Sequence, residues 1–343
     1  MNVLNGYLCT LRRWPMKAVI VDWARSAFHR AHRGDLAAVR PDDLAGQVAK
    51  ALIDRNGIDP AEFDDLLFDP EMGHVVREPT GTGYGYWVGG HKVFYDQASK
   101  QFVIFYRERT PLETGRGGRC AVAVGSDGIT FEEVWTADKE AFAASSIEVG
   151  NPIRSPDGDW RLYISYEVAG ARYWRIDLVR GNSLENLNVQ GRRTVFQPND
   201  FGFRSLKDPV VYLRDGRWWV YLAGPARERL PRTAKKIFAS PLDATLLGRS
   251  DDGLYFPELE WAFEAPGTDT WHGRRARINS VISTDNGWLA LYDGGRTFYD
   301  TYEEWCGLAW SENGTRFERL VQYRPWVRSP YGCVRYVYAL DRP

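Results

Sequence analysis

Three stretches decide the fold: PDGDWRLYISY (Pro156 to Tyr166), RDGRWWVYLAG (Arg214 to Gly224) and TDNGWLALYDG (Thr284 to Gly294). Each opens on an Asp-Gly or Asn-Gly turn and continues as an aromatic-rich strand with alternating apolar residues. DQASKQFVIFYRE (Asp96 to Glu108) is a looser copy. The first strand residues, Phe102, Trp160, Trp218 and Trp288, stand 58, 58 and 70 residues apart. A second signature keeps the same phase: SDGITFEEV from Ser126, SDDGLYFPELEW from Ser250 and SENGTRFERLV from Ser311, with the missing copy expected near SLENL at Ser183. Two motifs locked to one period mean that one supersecondary unit is repeated.

The unit is readable in its third copy. An apolar run, Val210 to Leu213, turns at Gly216 and returns through Trp218, Val220 and Leu222, a period of two with one buried face. A third strand leads into the second signature and a fourth closes the unit. Four antiparallel strands per repeat make a propeller blade. A two-sheet sandwich is the other all-β reading, but it does not require two motifs to recur in phase. The chain from Trp87 to Pro343 holds a little over four such units. A ring must not leave a sheet edge open, so the expectation is a five-bladed β-propeller whose last blade begins at SPYGCVRYVYALD (Ser329 to Asp341). That blade is either completed by strands from Gly73 to Trp87 or left incomplete.

Composition narrows the function. Lys and Arg total 44 against 45 Asp and Glu in 343 residues, which leaves no electrostatic footprint for nucleic acid or an anionic membrane. No apolar run is long enough for a membrane span. The N-terminus lacks the basic start and cleavage site of a signal peptide, so a cytoplasmic location is expected. Cys9, Cys120, Cys306 and Cys333 form no C-x-x-C pair and read as buried thiols. His29 and His32 lack a third ligand, and neither a metal nor a cofactor is expected. The glycines of EPTGTGYGYWVGG (Glu78 to Gly90) are not followed by a P-loop lysine and helix. Tyr86 and Trp87 make that stretch a candidate sugar-stacking or lid loop.

The first seventy residues carry a different pattern. Residues 1–17 read as an extension, and 18–70 as a small N-terminal α/β segment: a strand from Ala18 to Val21, then a helix starting near Pro41 with Leu44, Val48 and Leu52 on one face, stopped by Asn56 and Gly57. This segment resembles the N-terminus of thiolases in AVIVD at Ala18, AR-x-x-F at Ala24 to Phe28, VRPDDL at Val39 to Leu44 and IDPAEFDD at Ile58 to Asp65. The resemblance stops before the chemistry, because no cysteine here stands in a thiolase nucleophile context; Cys120 lies in the strand RGGRCAVAV. The segment reads as non-catalytic, with thiolase-type acyl transfer as a remote alternative.

In a propeller the ends of the innermost strands converge on a central funnel. Their flanks read GGHKV (Gly89 to Val93), SSIEVGNP (Ser145 to Pro152), SLKDPVV (Ser205 to Val211), RRARINSV (Arg274 to Val281) and GCVRYV (Gly332 to Val337), charged where packing alone asks for apolar residues. Residues 71–343 read as the propeller, and from about Gly73 to the C-terminus the chain resembles the five-bladed propeller glycosidases of glycoside hydrolase families 43 and 32, most specifically at SLKDPVVY (Ser205 to Tyr212). The resemblance implies that Asp208 steadies the sugar during reaction. Glycoside hydrolysis needs two carboxyl groups; Glu148 is the best second candidate and Glu167 the third. Glu303 and Glu304 read better as solvated loop carboxylates.

One departure stands out: Gly89, Gly90, His91 and Lys92 occupy the head of blade one, where the family places a catalytic aspartate. Lys92, Lys207, Arg277 and Arg335 give the funnel a cationic cast that suits an acidic sugar or a sugar phosphate. They serve equally as partners of Glu148 and Asp208 in a buried network. With His91, Asp293, Tyr86 and Trp87, these four are the expected substrate-binding residues. The function expected is a glycoside-hydrolase-like enzyme acting on a carbohydrate or sugar derivative, with a non-catalytic carbohydrate-binding or scaffold propeller as the alternative.

Overall fold

The repeats become four antiparallel sheets in the computed structural model. The structure describes residues 66–67, 74–115, 117–229, 241–284, 287–296, 304–328 and 333–340. The chain divides into two compact units, Met1–Asp64 and Asp65–Pro343, and the described residues all belong to the second. The expected N-terminal α/β segment lies outside the described residues, apart from a two-residue strand, β1 (Leu66–Leu67). Among the described residues there is no α-helix, only short 3₁₀ turns.

Blade 1 is β2 (Trp87–Asp96), β3 (Gln101–Arg109), β4 (Arg119–Gly125) and β5 (Glu132–Asp138). Blade 2 is β6 (Ala144–Arg154), β7 (Trp160–Val168), β8 (Trp174–Gly181) and β9 (Asn188–Phe196). Blade 3 is β10 (Lys207–Arg214), β11 (Arg217–Arg229), β12 (Pro241–Ser250) and β13 (Leu259–Glu264). Blade 4 is β14 (Arg277–Thr284), β15 (Gly287–Gly294), β16 (Trp305–Ser311), β17 (Glu318–Arg319) and β18 (Val327–Arg328). The first signature enters the second strand of every blade, and the second signature turns between the third and fourth strands. The copy expected near Ser183 falls in that same turn of blade 2, between β8 and β9.

The propeller has four blades, which corrects the expectation of five. The leftover pieces are too short to build a sheet and instead join blade 4: β1 adds in parallel to β18, and β18 lies against β16. Residues 333–340, where a fifth blade was expected to begin, form one extended strap without ladder pairing. Val334, Val337 and Ala339 of this strap pack on Leu291, Cys306 and Val327 of blade 4.

Apolar clusters are shared between blades 1 and 2, 2 and 3, and 3 and 4. Repeated polar stitches reinforce the last two. Tyr163 donates to the Gly253 carbonyl (2.7 Å) and Tyr221 to the Gly314 carbonyl (2.8 Å), each reaching into the hairpin of the next blade. Arg161 lies 4.4 Å over the Trp218 ring and Arg214 4.1 Å over Trp288, so these two tryptophans are each packed by a cation of the preceding blade. Between blades 4 and 1 the pattern changes, because Leu291 stands where Tyr163 and Tyr221 stand in their blades. There Lys92 of β2 donates to the Asn279 carbonyl of β14 (2.8 Å), and the strap touches both blades.

Candidate functional site

Each innermost strand breaks register with its neighbour at the same height: between Gly89 and Lys92, Ile147 and Gly150, Lys207 and Val210, and Ile278 and Ser280. A bulge gives a strand an extra residue and re-aims its side chain. Here the residues inside the irregularities include His91, Glu148, Asp208 and Asn279, one from each blade. Gly90 makes the first bulge feasible. Its φ is +64°, and a Cβ there would come within 2.8 Å of the Arg107 Nε.

Asp208 is the most unusual of these residues. Its φ is +54°, a left-handed conformation that a non-glycine residue adopts at a cost of about 1–2 kcal/mol and that a following proline disfavours further. Its amide donates to Ser165 Oγ (3.1 Å), and that hydroxyl donates to the Val149 carbonyl (3.0 Å), so blade 2 holds the bulge of blade 3 in place. The carboxyl is 4% exposed, and neither oxygen accepts a hydrogen bond from a described residue. Lys207 Nζ stands 3.9 Å from Oδ2.

Around Asp208 the other charges are sorted into groups. Glu148 is clasped by Arg107 and by Arg109 (3.0 Å), and both guanidinium groups rest on the Trp87 ring at 5.1 and 5.5 Å. Asp243 takes Arg277 (2.6 Å) and Arg275 (3.3 Å). Glu304, fully buried, takes Arg275 and Arg335. Asp293 accepts the Tyr336 amide (3.1 and 3.3 Å), and Arg107 donates to the Tyr336 hydroxyl (3.2 Å), so the strap roofs the hub. Tyr336 is itself left-handed, with φ +56°.

These surroundings push the carboxyls apart. Burial pushes Asp293 above the ordinary carboxylate range, against the opposing pull of Arg335, the Tyr336 amide, Arg277 and Lys92. Burial acts the same way on Glu148, but Arg107, Lys207 and Arg109 outweigh it and hold that carboxyl well below its usual value. Asp243 is held low against its own burial by Arg277, Arg275 and Lys207. Burial lowers Lys92 to about 8 despite the attraction of Asp208 and Asp293. Burial and the charge on Lys92 lower His91 to about 4. Two buried carboxyls driven in opposite directions are a pattern of acid–base sites.

No protein-family model matches the chain. A stretch of 54 residues is 35% identical to 3-ketoacyl-CoA thiolase of Psychrobacter cryohalolentis, and 55 residues are 40% identical to that of Saccharophagus degradans; each match covers 16% of this chain. The chain thus spans 14% of the length of these curated relatives. Among solved structures it is similar to a thermostable family-43 glycoside hydrolase, with a TM-score of 0.48, 14% identity, and 73% of this chain and 74% of that one covered. It is similar also to the β-1,2-mannobiose phosphorylase of Listeria innocua, with a TM-score of 0.48, 14% identity, and 70% and 77% covered. An endo-arabinase of Bacteroides thetaiotaomicron aligns with a TM-score of 0.48 and 12% identity over 67% and 79%.

The structure gathers Asp208, Glu148, Lys92, Lys207, Arg277, Asp293 and Arg335 into one network linked by shared partners. Glu167 stays outside it: half-buried on β7, it pairs in register with Ser146 and Trp174, and among the described residues no hydrogen bond or ion pair joins it to the hub. Trp87 supports Arg107 and Arg109, while the half-buried Tyr86 lies against Gly81 in the preceding loop. Glu304 is buried and paired, not a solvated loop carboxylate, and Glu303 lies outside the described residues. Sequence reasoning missed Arg107, Arg109, Asp243, Asn279 and Tyr336. Arg107 could have been found, because it faces Gly89 where β3 ends beside the head of β2.

Among the described residues no three His, Cys, Asp or Glu side chains are grouped to hold a metal. Nor is any helix there long and apolar enough to cross a membrane. Burial pushes the thiols of Cys120 and Cys306 up, which makes both poor nucleophiles.

Proposed function

We propose that the hub binds a carbohydrate carrying an acidic group and cleaves a glycosidic bond. The observation that carries this reading is Asp208, a strained, buried carboxyl without hydrogen-bond partners among the described residues and in the field of Lys92, Lys207, Arg107, Arg277 and Arg335. Strain of this kind persists where surrounding structure enforces it, and it concentrates at functional sites. Asp293, raised by burial, is the candidate acid that protonates the departing oxygen. Asp208 is the candidate for stabilising positive charge that develops on the sugar. Glu148 acts as a positioning residue, since both its oxygens are taken by Arg107 and Arg109. Lys207 and Arg277, half-buried at the hub, are placed to hold a carboxylate or phosphate of the ligand.

Aryl glycosides of neutral sugars, uronic acids and sugar phosphates test the reading. Wild-type turnover of an acidic member is expected to fall about 10²–10⁴-fold in Asp208→Asn and in Asp293→Asn. Equal background rates in all three proteins sink the enzymatic reading. A second reading, binding without turnover, draws on the strap, because Tyr336 roofs the hub and contacts both Arg107 and Asp293. It predicts calorimetric binding of the same acidic ligands, weakened by Lys207→Ala, with no product formed.

A further inference from the structure

A cleft of about 470 Å³ opens on blade 4, lined by Asp269, Thr270, Trp271, Arg296, Trp305, Gln322 and Tyr323. It adjoins the hub along the chain in two places. Trp305 directly follows Glu304, the hub carboxylate, and Trp271 lies four residues before Arg275, which pairs with that carboxylate. The Trp271 ring is fixed: its indole N–H donates to the Gln322 carbonyl (3.2 Å), and it stacks on Tyr292 at 5.8 Å and 21°. Tyr323 is 75% exposed beside it. Arg296 and Asp269 pair through two parallel bonds of 2.7 and 3.1 Å, and both remain solvated.

These features specify a ligand. Aromatic rings offer apolar faces with polar edges and are enriched at recognition sites for that reason. The Arg296–Asp269 fork is electrically self-balanced, so it supplies donors and acceptors without favouring either sign of charge. Gln322 and Thr270 add neutral hydrogen-bonding groups. A ligand with flat C–H faces and a rim of hydroxyls satisfies all of these; an anion or a purely apolar chain satisfies half. The volume falls in the range of small-molecule pockets.

We propose that this cleft is a second carbohydrate-binding position, separate from the hub, that takes a neutral sugar ring of a longer glycan. The choice of ligand class rests on the carbohydrate reading of the hub; the residues do not overlap with it. Affinity gel electrophoresis in soluble arabinan, xylan, mannan and β-glucan tests the cleft on the full chain. At least one polysaccharide is expected to retard the wild type. Tyr323→Ala and Trp305→Ala are each expected to weaken that binding about three- to tenfold, with unchanged far-UV circular dichroism. Asp208→Asn is expected to leave retardation intact. No retardation in any of the four, or retardation indifferent to both aromatic substitutions, overturns the proposal. Retardation that depends on Tyr323 while the aryl glycoside panel stays silent leaves the cleft standing and removes the hub reading. Turnover that depends on Asp208 with no retardation does the reverse.

Discussion

Asp208 concentrates the trade between stability and chemistry in one residue. Its left-handed backbone costs free energy that a glycine would not incur. Asp208→Gly is therefore expected to raise the unfolding midpoint, or at least leave it unchanged, while removing the function; thermal denaturation alongside the glycoside assay measures both. Glu148 should behave oppositely. Its folded pKa lies below the ordinary 4.5, so the stability it contributes is present above that value and is lost as pH falls through the depressed folded value. Glu148→Gln leaves Arg107 and Arg109 buried without their counter-charge, at a cost of about 3–5 kcal/mol. Urea denaturation at pH 7 and pH 4 should show that cost shrinking at the lower pH. Lys92 supplies a third readout: with a pKa of about 8, its charge fades above that pH. Affinity for an acidic ligand should decline there, and Lys92→Arg should move the decline to higher pH in calorimetric titrations.

At the scale of strands and turns, the sequence was legible wherever periodicity carries the signal. Trp160, Trp218 and Trp288 stand at the first or second position of the second strands, and Asp127 and Asp252 hold the second signature's turns by accepting amides two and three residues on. The bulges were not legible. A one-residue irregularity leaves no compositional trace beyond Gly90 and the Asp208–Pro209 pair, yet it decides which side chains enter the hub. Arg107 and Tyr336 were hidden for a related reason: 229 residues separate them, and only ring closure brings them together. The tyrosine stitches belong to this scale as well. Tyr221→Phe leaves the buried Gly314 carbonyl without its donor and is expected to cost about 1–3 kcal/mol in chemical denaturation.

For the molecule as a whole, the repeat period located four blades, and the number five came from assigning the remaining residues to another blade so that no sheet edge stayed open, in line with the resemblance to five-bladed propellers. Those residues follow a different route. β1, β17 and β18 extend blade 4, and the strap covers the apolar face that a further sheet would cover. Charge totals were equally silent about the hub: a net charge of −1 over 343 residues conceals a buried cluster in which Lys92, Arg107 and Arg277 all act on Asp208. A chain ended after Arg328 loses the Tyr336 amide from Asp293 and Arg335 from Glu304. Its midpoint should drop well below that of Tyr221→Phe in the same denaturation experiment.

Among the described residues, the joint between the last blade and the first is built unlike the other three: a lysine bonded to a backbone carbonyl and an inserted tyrosine stand where the other joints share an apolar cluster. A wheel with one such joint has a preferred place to part. Amide protons of β2 and β14 should therefore exchange with solvent deuterium sooner than those of β6 and β10.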